Sequence, residues 1–174
     1  LSAAFKPVCQ AGGELVVVTG PQGVGKSSLV QELEKMTAGQ NGYFVSSKYE
    51  MTRQRVPYSA LIHSFQKLML RILAEGEERV ARWRNCIMKA LGSNSRIMID
   101  VIPELEMIVD RQPDLPEIDP EKAQYRFKMV LGEFISVFTK REHPLVIFLD
   151  DLQWADAASL QLISRLMSDY TTGY

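Results

Sequence analysis

The chain is poor in the residues that build metal and disulfide frameworks. Two cysteines (Cys9, Cys86) and two histidines (His63, His143) stand far apart in 174 residues. That is too few, at the wrong spacing, for a zinc site, and it is not the pattern of a disulfide scaffold. Reduced, packing cysteines in a cytoplasmic setting are the expectation. No apolar run reaches the ~18–20 residues that cross a bilayer, and no signal-peptide core precedes a small-residue cleavage site. The net charge is only −1, which argues against a generally basic nucleic-acid binder. Repeats and low-complexity tracts are absent. What is present is 46% hydrophobic and 24% charged residues, a globular composition that rules out disorder for the whole.

Three short apolar runs read as buried strands. Residues 14–18 (ELVVV) are bounded by glycines, residues 43–47 (YFVSS) follow Gly42, and residues 145–149 (LVIFL) follow Pro144. Between the first two, the spacing predicts a helix over 26–38 with Leu29, Val30, Leu33 and Met36 on one stripe. Strand, helix, strand is a crossover unit, and such units build parallel sheets.

The stretch from 48 to 144 shows no convincing strand. Leu61, Phe65, Leu68 and Ile72 mark a helix over 58–74, and Val80, Trp83, Ile87 and Leu91 mark another over 77–91. Residues 97–102 fit either strand or helix, and a short helix follows from Pro103 to Val109. Residues 110–119 read as a loop. Asp119 and Pro120 then start a helix carrying Phe127, Val130, Leu131, Phe134, Ile135 and Phe138. Asp156 caps a last helix with Leu160, Ile163, Leu166 and Met167 on its apolar face. Residues 48–96 hold ten bases and four acids, and residues 100–122 hold eight acids and two bases. Two solvated faces that attract each other are the plain expectation, a docking surface for another domain the sharper one.

One motif carries chemistry by itself. Gly20-Pro-Gln-Gly-Val-Gly-Lys-Ser27 matches G-x-x-x-x-G-K-[ST] and lies between an apolar run and a helix. A triphosphate needs close, numerous donors. Gly20, Gly23 and Gly25 allow a tight loop whose backbone N–H groups, with Pro21, Gln22 and Val24 between them, surround the phosphates. The helix adds its positive dipole end, Lys26 a point charge for the β/γ-phosphates, and Ser27 a hydroxyl for Mg²⁺. Ser28 completes the loop. The second motif is the run 145–149 ending in Asp150 and Asp151, a Walker B pattern. Parallel strands deliver their C-terminal residues to the sheet edge where phosphates bind. Asp150 is the expected Mg²⁺-shell acid. Asp151 is the candidate to activate water, or else a turn residue. Trp154 is a core anchor or a neighbour of the nucleotide.

The blocks GPQGVGKSSL from Gly20, YFVSSKYE from Tyr43, PYSALIHSF from Pro57, IDVIPELEMIV from Ile99, AQYRF from Ala123 and HPLVIFLDDLQWAD from His143 run in a familiar order. They resemble the origin-recognition-complex-like AAA ATPase domains of STAND-class signal-transduction NTPases, as found in multi-domain sensor histidine kinases and Ser/Thr kinases. The resemblance implies an α/β P-loop NTPase of the ASCE/AAA type. Its parallel sheet would have helices on both faces, with a helical insert over about 58–119 between the second strand and the Walker B strand. It implies binding of ATP and Mg²⁺, and hydrolysis used as a regulatory switch on other domains of the same polypeptide. By the same resemblance, residues 1–174 would be the N-terminal part of one domain, ending before the strand that lies between the Walker A and Walker B strands. Sensor and arginine-finger residues would then follow Tyr174. Arg53 and Arg55 are solvated on this reading rather than trans-acting. A nucleotide-binding scaffold without turnover and a P-loop small-molecule kinase are the alternatives. No N-K-x-D guanine-reading motif and no LSGGQ-like signature appears, which argues against a GTPase and an ABC-type ATPase.

Overall fold

A computed structural model describes residues 14–21, 24–53, 56–139 and 143–171. Helix α1 spans Lys26–Gly39 and leads into strand β1, Tyr43–Lys48. Four helices follow: α2, Ser59–Leu73; α3, Glu77–Leu91; α4, Ser95–Ile99; and α5, Glu106–Val109. The long helix α6 runs Pro120–Val137, strand β2 Leu145–Asp150 and helix α7 Ala157–Thr171. Short 3₁₀ turns at Met51–Arg53, Gly92–Asn94, Pro103–Leu105 and Leu152–Trp154 join them. The ambiguous residues 97–102 resolve in favour of helix, since α4 covers Ser95–Ile99.

The sheet has two parallel strands, paired from Tyr43 with Leu145 to Lys48 with Asp150. One turn sets this register. Gly42 N–H bonds Thr37 O at 2.9 Å, and Tyr43 N–H bonds Pro144 O at 2.8 Å. A Cβ on Gly42 would lie 2.6 Å from Pro144 O and 2.8 Å from Thr37 Cγ2, so only glycine lets β1 start so close to its partner. Helices α1 and α2 both pack on β1.

The core is helical rather than sheet-centred. Phe65 on α2, Trp83 on α3, and Phe134 and Phe138 at the end of α6 interlock, with ring centroids 4.8 to 5.8 Å apart. Leu61, Leu68 and Ile72 on α2, and Ile87 and Leu91 on α3, are buried as their spacing predicts. The acidic stretch docks on the basic one. Arg84 donates to Ile108 O at 2.6 Å and pairs with Asp110 at 3.5 Å, while Arg96 pairs with Asp100 and Asp114. The charge asymmetry of the sequence is thus partly spent inside the chain.

Three expectations are corrected. Residues 14–18 form no strand; Leu15 and Val17 are 59% and 63% exposed. A strand is completed by a neighbour's backbone, and among the described residues none pairs with this run in a sheet. The stripe on α1 is not buried: Leu29 is exposed, Val30, Leu33 and Met36 are half-buried, and among the helix's described side chains only Thr37 is fully covered. On α7, Leu160 is exposed and Leu162 makes the buried contact, facing Gly132 of α6. Helix α1 lies against a two-stranded sheet, and α7 packs on α6, so each has less surface to cover than the sequence pattern assumes.

Candidate functional site

The phosphate-loop motif enters α1 through Gly25, whose φ of 92° is left-handed and suits glycine alone among ordinary residues. Gly25 O accepts from Ser28 N–H at 3.1 Å and Leu29 N–H at 3.3 Å, which starts the helix at Lys26. The Lys26 ammonium folds back over the loop and donates to Gly20 O and Pro21 O, each at 2.9 Å. A Cβ on Gly20 would stand 3.0 Å from Val24 Cγ1. Gln22 and Gly23 lie outside the described residues, as does the side chain of Ser27. Ser28 is exposed on the first turn of α1.

Asp150 closes β2 and Asp151 follows it. Asp151 leaves the strand in a left-handed conformation, φ 53° and ψ 48°. Its N–H donates to its neighbour's Asp150 Oδ1 at 2.9 Å. Lys48, opposite Asp150 in the ladder, reaches across to Asp151 Oδ2 at 3.0 Å, and Gln153 Nε2 donates to Asp151 Oδ1 at 3.2 Å. The hydrogen bond from Lys48 is the main cause that holds the Asp151 carboxyl below its usual range, with Gln153 and the charge of Lys26 adding to it. Reciprocally, Asp151 pushes the Lys48 ammonium up. The fold therefore brings Lys26 and Asp151, 125 residues apart in the chain, within electrostatic reach of each other. Packing of α1 against β2 is the physical link.

The donor set suits Mg²⁺. That ion takes one or two protein carboxylates and fills its octahedron with phosphate and water oxygens. Asp150, a half-buried carboxylate at the end of β2, is a hard oxygen donor of that kind. No group of three or more metal-ligating side chains occurs among the described residues.

Around this centre, Asp156 caps α7 as expected, accepting from Ser159 N at 2.8 Å and Ser159 Oγ at 2.6 Å. Tyr49, next to Lys48, is 3% exposed, and its N–H bonds Asp150 O at 3.1 Å. Burial raises its hydroxyl pKa; that hydroxyl lies by Ser159 without hydrogen-bond geometry. Trp154 is half-buried in the turn after Asp151 and lies outside the hydrophobic core cluster. Arg53 ends a 3₁₀ turn, and Arg55 lies outside the described residues, as does Cys9. Cys86 is half-buried on α3.

Sequence reasoning missed Lys48 and Gln153. Lys48 was legible only as one base in a basic stretch. Its significance follows from the register, because parallel strands that start together also end together, and β1 ends on Lys48 where β2 ends on Asp150.

A parallel strand pair with a glycine-rich loop feeding a helix beside it defines the α/β nucleotide-binding class. The family model of the AAA ATPase domain matches residues 1–173, and the chain belongs to that family. It is 33% identical over 163 residues to hybrid signal transduction histidine kinase G of Dictyostelium discoideum, covering 94% of this chain and 5% of that protein. It is 29% identical over 173 residues to peroxide stress-activated histidine kinase mak2 of Schizosaccharomyces pombe, covering 89% of this chain and 7% of that protein. The chain thus spans only about a twentieth of the length of these curated relatives. No solved structure matches it. Among the described residues, no helix is long and apolar enough to cross a membrane.

Proposed function

We propose that this chain is the Mg-ATP-binding part of a P-loop ATPase domain that acts as a regulatory switch within a larger cytoplasmic signalling protein. The observation that carries the reading is that the glycine loop with Lys26 leads into α1, and α1 packs on β2, the strand that ends in Asp150 and is followed by Asp151. Gly20, Pro21, Gln22, Gly23, Val24, Gly25, Lys26, Ser27 and Ser28 would cradle the phosphates. Lys26 would exchange its two loop carbonyls for phosphate oxygens, a trade of neutral acceptors for charged ones. Ser27 and Asp150 would hold Mg²⁺, which neutralises phosphate charge when bound. Asp151 would accept the proton of the attacking water, so that ATP and water give ADP and inorganic phosphate. The other domains of the polypeptide, kinase or sensor domains among them, are the proposed partners, in keeping with the names of the relatives. Nucleic acid is not among them.

Fluorescent-nucleotide titration tests the reading. Lys26→Ala should abolish ATP binding, and Asp151→Asn should keep binding and lose turnover. Equal ATP affinity in wild type and Lys26→Ala would sink the assignment. Phosphate released without any acceptor separates an ATPase from a small-molecule kinase, and tight binding with no phosphate release marks a scaffold.

A further inference from the structure

Helices α3 and α7 both pack on α6, and a cleft of about 780 Å³ lies between the three. Neither the phosphate loop, α1 nor the strand pair lines it. Its size falls in the range of small-molecule sites. The apolar part runs over Met129 and Gly132 of α6 and reaches Val137 and Leu162, which are 6% and 1% exposed. The charged part is basic. Each helix contributes one base, Lys89 from α3, Lys128 from α6 and Arg165 from α7, against a single lining acid, Glu133. Among the described residues, Lys89 and Lys128 have no ion-pair partner. Arg165 Nη1 donates to Met129 Sδ at 3.0 Å, a weak acceptor that an anionic oxygen would improve on.

Gly132 gives the cleft its second distinguishing feature. Glycine inside a helix costs stability relative to alanine. Packing does not require it at this position, because a Cβ would meet Leu162 Cδ1 at 3.9 Å, an ordinary contact. What the missing side chain does is leave the apolar floor open beside the three bases.

We propose that this cleft binds a small anionic amphiphile, a carboxylate head on an alkyl chain. Lys89, Lys128 and Arg165 hold the head, and the chain lies over Gly132 toward Val137 and Leu162. Charge complementarity selects the head, since the lining offers three bases to one acid. Depth selects the tail. A slender chain reaches side chains as buried as Leu162, whereas a docked helix, about 10–12 Å across, would ride on the rim. The site is separate from the nucleotide-binding residues and its occupancy does not depend on their reading.

Isothermal titration of the full chain with sodium decanoate, without nucleotide, tests this. Decanol keeps the tail without the charge, and acetate keeps the charge without the tail. One decanoate should bind per chain, about tenfold more tightly than decanol, and acetate should give no binding heat at the same concentration. Combining Lys89→Gln, Lys128→Gln and Arg165→Gln should weaken decanoate about tenfold and leave decanol within about twofold. Gly132→Leu should fill the floor and remove both ligands. Gly132→Ala should raise the urea midpoint and keep decanoate affinity within about threefold. Absence of saturable decanoate binding overturns the proposal. Equal affinity for decanoate and decanol, or unchanged decanoate affinity in the triple variant, overturns the role of the bases. Decanoate binding that survives Gly132→Leu overturns the cleft as its location. Binding of an acidic amphipathic helical peptide with no uptake of decanoate overturns the ligand class.

Discussion

Trp83 Nε1 donates a 3.0 Å hydrogen bond to the hydroxyl of Tyr43, which itself donates to Glu75 Oε2 at 2.8 Å. The first residue of β1 is thereby fastened to the turn between α2 and α3. The rings meet edge-on at 5.6 Å, and Arg71 lies over the Tyr43 ring at 5.5 Å. Arg79 completes the set by pairing with Glu75 at 3.2 Å. Tyr43→Phe keeps the packing and removes the hydroxyl, leaving a buried indole N–H and a carboxylate short of a partner. A loss of about 1–3 kcal/mol is expected, read as a lower urea midpoint with an unchanged slope.

The same hydroxyl gives a pH signature. Burial, then the hydrogen bond to Glu75, raises the Tyr43 pKa above its ordinary value, and burial raises Tyr49 and Tyr58 as well. The folded state thus holds these protons more tightly than the unfolded chain. Their contribution is fully present below the unfolded pKa near 10 and is lost as pH rises through the folded values. Stability should fall as the pH rises past about 10. The fall should be shallower in Tyr43→Phe, as measured by urea midpoints above that pH.

Core and strand-pair positions should respond differently from the phosphate-loop helix. Phe134 is fully buried among Phe65 and Phe138, and Phe134→Ala should cost about 3–5 kcal/mol. Leu29 was equally apolar in the pattern but is 48% exposed, and Leu29→Ala should stay within about 0.5 kcal/mol. Equal losses in thermal or urea unfolding would contradict the exposed placement of α1.

Two glycines separate backbone conformation from close approach. Gly25→Ala meets no neighbour within 4 Å, yet φ of 92° should cost about 1–2 kcal/mol and weaken nucleotide binding through the loop. Gly42→Ala would drive a Cβ to 2.6 Å from Pro144 O, so it should destabilise more and loosen the start of the strand pair. Hydrogen exchange at the Tyr43 amide, which bonds Pro144 O, should accelerate in Gly42→Ala and not in Gly25→Ala.

Helices were legible almost residue by residue. The pattern over 77–91 matches α3 at both ends, and the spacing of Leu61, Phe65, Leu68 and Ile72 names four buried contacts of α2. Helical hydrogen bonds close within four residues, so the information lies in the segment itself. The cap at Asp119 shows the limit of local reading. Proline does open α6, but the Asp119 carboxylate pairs with Lys122 at 2.8 Å instead of capping the helix. The run at 14–18 fails for a larger reason. Its β-branched composition names a strand, but a ladder needs a second backbone, and no stretch of sequence carries its own partner.

The sequence alone determined the phosphate-loop spacing from Gly20 to Ser27, the acids at 150 and 151, and the helical stripes of the core, because each is written in local order and periodicity. Tertiary structure decided which ends meet. Only the register of β1 against β2 sets Lys48 opposite Asp150 and within 3.0 Å of Asp151, and only the packing of α1 on β2 brings the charge of Lys26 to bear on that carboxylate. Strand pairing joins residues about a hundred positions apart through backbone groups that are chemically alike along the chain, so side-chain identity names the candidates and the ladder selects the neighbours.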